Sequence, residues 1–170
     1  MDRGAMLFGA ALFIVLAALS SIASSKIGDP DTNGAVASAL KHYLTELVGP
    51  ATVEGEDASF GPLVLCLGST MPLEIEAIGR DLAGTIIQPV PANACTSETI
   101  EGDFGMFAAI TKYHDATGAE AAHLEVVNVA CSNTRTCIVD IDGFGSGDRY
   151  ITRREGRVWS VVERKMRWVV

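Results

Sequence analysis

From His123 to its end the chain reads as four short β-rich runs: His123 to Cys131, Cys137 to Phe144, Asp148 to Arg153 and Arg157 to Val170. Val, Ile, Tyr and Trp dominate them. Runs of that composition joined by short turns pair as an antiparallel meander. Glu155-Gly156 supplies one turn, where loops of two or three residues both fit and glycine can take φ > 0. Period-two counting puts Val127, Val129 and Cys131 on one face of the first run, and Cys137, Val139 and Ile141 on one face of the second. Asn128, Asp140 and Asp142 then point the other way. The last run holds both tryptophans, Trp159 and Trp168, on opposite faces unless a bulge intervenes.

Ahead of this meander the pattern changes period. Val36, Leu40, Tyr43, Leu44, Leu47 and Val48 fall on one helical face, which predicts a helix from about Thr32 to Val48, capped by Asp31 or Thr32 and stopped by Gly49-Pro50. His42 lies beside that stripe as a helix-surface residue. Residues 51–62 are acidic and loop-like, and the apolar run Leu63 to Leu67 fits a helix or a buried strand. Met71-Pro72-Leu73 opens a second helix reaching Leu82, with Leu73, Ile78 and Leu82 inward and Gly84 as its C-cap. Thr85 to Gln88 reads as a strand halted by Pro89 and Pro91, residues 92–105 as loop, and the stretch after Gly105 as a strand. Helices followed by strands define an α+β class: N-terminal helices packed on a C-terminal antiparallel β-meander.

The first residues carry an address. After Asp2 and Arg3 no charge appears until Lys26, Ala5 to Leu19 is almost wholly apolar, and small residues follow in SSIASS. That order is a secretion signal, residues 1–23, with cleavage after Ala23. The competing reading is an uncleaved N-terminal anchor, since the uncharged stretch Gly4 to Ser25 is long enough to span a bilayer. Either way residues 26–170 are expected as one globular α+β domain, periplasmic or secreted. Membrane contact is then expected only through the N-terminal segment, if that segment is retained.

Four cysteines remain: Cys66, Cys95, Cys131 and Cys137. An even count in an exported chain predicts two disulfides. A 131–137 bridge would close the first hairpin, leaving 66–95. The cysteines form no C-x-x-C pair and no paired zinc-ligand spacing.

Charge is uneven. Residues 26–130 carry four basic against fifteen acidic groups, while residues 131–170 carry eight basic against five acidic. An acidic body argues against nucleic acid, whose phosphates need clustered Lys and Arg. The basic groups Arg149, Arg153, Arg154, Arg157, Arg164, Lys165 and Arg167 read as a solvated sheet face that pairs with acidic groups of the same domain.

The Thr117-Gly118 turn, the meander and the closing Gly156, Trp159, Val161 and Trp168 resemble the last sheet of small exported bacterial proteins whose function is uncharacterised. The layout is also similar to NTF2-like and cystatin-like α+β folds, in which a helix packs on a curved sheet. Such folds host enzymes and non-enzymes alike.

Chemistry-bearing candidates are few. Asp140, Asp142 and Asp148 lie among glycines, as oxygen ligands of a calcium loop would, but Phe144 and Ile151 occupy positions that an EF-hand gives to ligands. His114-Asp115 supplies a His/Asp base, and His123 shares a strand face with Glu125. No cofactor is implied. The expected function is a non-enzymatic, disulfide-stabilised binding or interaction module of the envelope, its partner an envelope protein or a small ligand. The alternative is a small pocket hydrolase or isomerase using His114, Asp115 or His123 as base.

Overall fold

A computed structural model of the chain describes residues 30–48, 62–100 and 110–169. The leader with its cleavage site, the acidic stretch 51–61 and residues 101–109 lie outside the described residues. The described chain runs α1 (Pro30–Val48), β1 (Leu63–Ser69), α2 (Ile75–Asp81), β2 (Ile87–Pro91), a 3-10 turn (Ala92–Ala94), β3 (Thr96–Ile100), β4 (Ile110–His114), β5 (Glu120–Asn133), β6 (Thr136–Gly143), β7 (Ser146–Glu155) and β8 (Val158–Val169).

The class is α+β: among the described residues, two helices accompany an eight-stranded sheet whose main path runs β2-β1-β5-β6-β7-β8. Strands β3 and β4 branch off at the start of β5. The four C-terminal runs form the antiparallel meander β5 to β8 that their composition predicts. The sheet is nevertheless mixed, because β1 runs parallel to both β2 and β5. This also settles the apolar run at Leu63. An inner strand covered on both faces reads as continuous apolar sequence instead of alternating, and Leu65, Cys66, Leu67 and Gly68 are all buried.

Three local expectations are corrected. The strand at Ile87 continues through Pro89 and Pro91, because β2 is a sheet edge where a missing N–H is tolerated. Residues 96–100 form a strand where loop was expected, pairing with β4. Every residue of β3 is exposed, so it carries no apolar alternation to betray it. Finally, the face assignment in β5 changes at a bulge. Val126 pairs with Ile141 and Asn128 with Asp140, which leaves Val127 as the extra residue. Leu124 and Val126 therefore face the core ahead of the bulge, while Val129 and Cys131 follow that face after it, opposite Val139 and Cys137.

One apolar cluster joins the elements. Val36, Leu40, Tyr43 and Leu44 of α1 and Ile78 and Leu82 of α2 meet Leu65, Leu124, Val126, Val139, Ile141 and Tyr150 of the sheet. At Gly34, α1 lies close against β8: a Cβ there would collide with the Trp159 indole. Two further irregularities in β8, at Val162 and Arg167, cancel in parity. Trp159 consequently packs on the core side, while Trp168 lies over Gly147 on the other face and stays 39% exposed. Disulfides join Cys66 to Cys95 (Cα–Cα 6.2 Å) and Cys131 to Cys137 (3.9 Å). The first ties the turn leading into β3 onto the buried centre of β1, and the second closes the β5–β6 hairpin.

Candidate binding cleft

The aspartates and arginines near the β6–β7 hairpin are spent on one another. Asp140 accepts two hydrogen bonds from Arg149 (2.7 and 2.9 Å) and one from Asn128. The Arg149 guanidinium holds the Asp140 carboxyl below its ordinary value. Asp142 accepts from Arg167 (2.7 Å). Asp148, fully buried, takes both Nε and Nη2 of Arg164 at 3.1 Å. Arg164 also reaches Glu46 of α1. Asp140 and Asp142 lie on the face away from the core, and Asp148 lies on the core side. The three carboxylates thus go to three different arginines and converge on no common point.

The histidines are placed as follows. His114 ends β4 with Nε2 3.3 Å from Glu98 of β3. Asp115 belongs to the turn before β5: its Oδ1 accepts from the Thr117 N–H (2.8 Å), the Thr117 hydroxyl (2.7 Å) and the Ala119 N–H (3.0 Å). Those bonds, the Thr117 side chain foremost, lower its carboxyl pKa. They also aim Asp115 at its own turn instead of at His114. His123 lies flat against Tyr113 of β4, ring centroids 4.1 Å apart and planes 6° from parallel. Burial lowers its pKa, outweighing the opposing pull of Glu125. Glu125 lies over Gly68 of β1, whose missing side chain leaves room for the carboxylate.

The Tyr113–His123 stack borders an open cleft of about 910 Å³, also lined by Ile110, Lys112, Phe144 and Val169. Its origin lies in how β5 changes partners. Glu120 and Ala121 pair with β4, and pairing with β6 begins at Glu125. Ala122, His123 and Leu124 belong to neither ladder, so the sheet forks there. The β6–β7 turn forms the opposite wall.

That turn is unusual. Gly143 pairs with Ser146, leaving Phe144 and Gly145 as a two-residue loop with φ of 47° and 77°. Such a turn needs two left-handed residues and ordinarily takes Asn-Gly or Gly-Gly. Phenylalanine there costs on the order of 1–2 kcal/mol. The residue is 60% exposed, and on one side its ring stacks with Tyr43 (centroids 6.3 Å apart, 21° between planes). The Tyr43 hydroxyl donates to the Gly143 carbonyl at 2.9 Å, which holds the hairpin in place.

Of the residues singled out from the sequence, the cleft takes only His123. Tyr113, Lys112 and Phe144 were not anticipated. Tyr113 and His123 meet only through the β4–β5 pairing, which the sequence marks at the Thr117-Gly118 turn alone. Phe144 did leave a signal, an aromatic in a Gly-Phe-Gly-Ser turn where a polar residue is the norm. No family model, no curated protein and no solved structure matches this chain.

Proposed function

We propose that this protein is a non-enzymatic binding module of the periplasm or extracellular space, which takes an apolar or aromatic group of its ligand into the Tyr113–His123–Phe144 cleft. The leader-like N-terminus and two disulfides support the compartment. The observation that carries the binding reading is Phe144: a large apolar ring kept mostly in solvent, at a backbone cost that Asn or Gly would avoid. Strain held at an exposed residue of a cleft is the mark of a functional constraint. Lys112 on the rim offers a charge to an anionic group of the same ligand.

The probe is a planar aromatic anion, an anilinonaphthalene sulfonate, followed by amide chemical shifts. Saturable shifts should concentrate at residues 110–113, 121–123 and 143–146. Phe144→Asn, which suits the left-handed turn, should keep the fold and weaken binding by about tenfold, the loss of one aromatic contact of roughly 1 kcal/mol or slightly more. Shifts lying elsewhere, or an unchanged affinity in the variant, would overturn the assignment.

A further inference from the structure

Strand β8 ends the sheet, and its outer edge has no strand beside it among the described residues. A long free edge is a template for pairing with another chain. This one is apolar as well: Val158, Val162, Met166, Trp168 and Val169 are all exposed.

The order of side chains along β8 says what fits it. Counting through the irregularities at Val162 and Arg167, one face carries Trp159, Val161, Arg164, Met166 and Val169, and the other Ser160, Glu163, Lys165 and Trp168. Two identical antiparallel strands are related by a two-fold axis normal to the sheet, which sets residues of the same face opposite each other. The axis must then pass through a residue. Through Glu163 or Lys165 it would oppose two like, solvent-facing charges. Through Arg164 it sets Glu163 opposite Lys165 of the other copy, twice over. The same register puts Val161 against Met166 and Trp159 against Val169, so each copy covers the apolar end that the other leaves bare. The two Arg164 side chains that meet on the axis are each already engaged by Asp148 and Glu46 of their own chain.

We propose that a second copy of this chain docks antiparallel along β8, centred on Arg164, to form one continuous sheet across a two-fold dimer. The test is sedimentation velocity on the protein purified with both disulfides formed. The wild type should show a monomer–dimer equilibrium. Glu163→Lys alone and Lys165→Glu alone each create two like-charge cross-strand pairs, and each should raise the dimer Kd on the order of tenfold. Mixed together, the two single variants regain opposite charges at every such position and should form a heterodimer of wild-type affinity. Near-UV circular dichroism checks that each variant keeps its fold, since both positions are exposed. A wild type that stays monomeric at every soluble concentration overturns the proposal. Two single variants that dimerise as the wild type does, or a mixture that fails to recover, overturn it equally.

Discussion

Arg164→Met is the sharpest test of how the helix side of the sheet is held. The Asp148 carboxylate has no exposure to solvent, and both its oxygens accept from Arg164. Methionine keeps the aliphatic stem but removes both donors, leaving a buried charge without a partner. For a fully buried pair that loss runs to roughly 3–5 kcal/mol. The Arg164 side chain is 36% exposed, so water replaces part of the interaction, and about 3 kcal/mol is expected. With a urea dependence of about 1.5 kcal/mol per M, the unfolding midpoint should fall by roughly 2 M at neutral pH. The double variant Asp148→Leu/Arg164→Met removes both charges and should recover most of the loss, since apolar replacement of a buried pair is often neutral. A single variant costing under about 1 kcal/mol, or a double variant worse than the single, would refute the reasoning.

Four further outcomes follow from other residues. The Tyr150 hydroxyl is buried and finds no hydrogen-bond partner among the described residues, so Tyr150→Phe should be neutral or stabilising by up to about 1 kcal/mol in thermal melts. Folded His123 protonates less readily than its ordinary value of 6.5, so stability should decline as the pH falls through 6.5 toward the lower folded value. His123→Gln should remove that decline from the pH profile of the urea midpoint. Asp140, also depressed on folding, contributes stability that is present above 3.8 and lost as the pH falls below it. Asp140→Asn should erase that second step. Gly147→Ala places a Cβ against the Trp168 indole and the Asp142 carboxylate, and should lower the melting temperature while shifting Trp168 fluorescence.

The sequence made some of this legible and concealed the rest for physical reasons. The α1 stripe and the runs at β5 to β7 were readable because each buries one face, so the apolar period survives in the chain, while the largely exposed β8 was readable from its Val and Trp content. The parallel strand β1 was ambiguous because burial on both faces erases the period. The bulge at Val127 was invisible, since Val126 and Val127 are alike and Val127, Val129 and Cys131 still read as an unbroken alternation. The cysteine pairing of the β5–β6 hairpin survived that shift because Cys131 lies beyond the bulge, directly opposite Cys137. Among the cleft residues, His123 was noticed for its chemistry and Tyr113 was not, because their stacking depends on a pairing between strands that the sequence marks only at the Thr117-Gly118 turn.

The same bonds that explain the acidic and basic halves of the chain also say where its free surface lies. Arg149 and Arg167 neutralise Asp140 and Asp142 on the open face, and Arg164 neutralises Asp148 while reaching Glu46 across to α1. Gly147 leaves room there: with no side chain on β7 at that position, Trp168 lies over Gly147 and Arg167 reaches across β7 to Asp142. Arg149, Arg164 and Arg167 are therefore fastened into the sheet and are poorly placed to gather an external anion, whatever the net charge of the segment. Among the described residues, exposed apolar side chains gather at the fork beside Phe144 and along the edge of β8. Val169 belongs to both. Docking of a second copy on β8 would bring its Trp159 beside Val169, at the rim of the cleft. Ligand binding and dimer formation in this protein should then be thermodynamically linked, each altering the affinity of the other by the same factor.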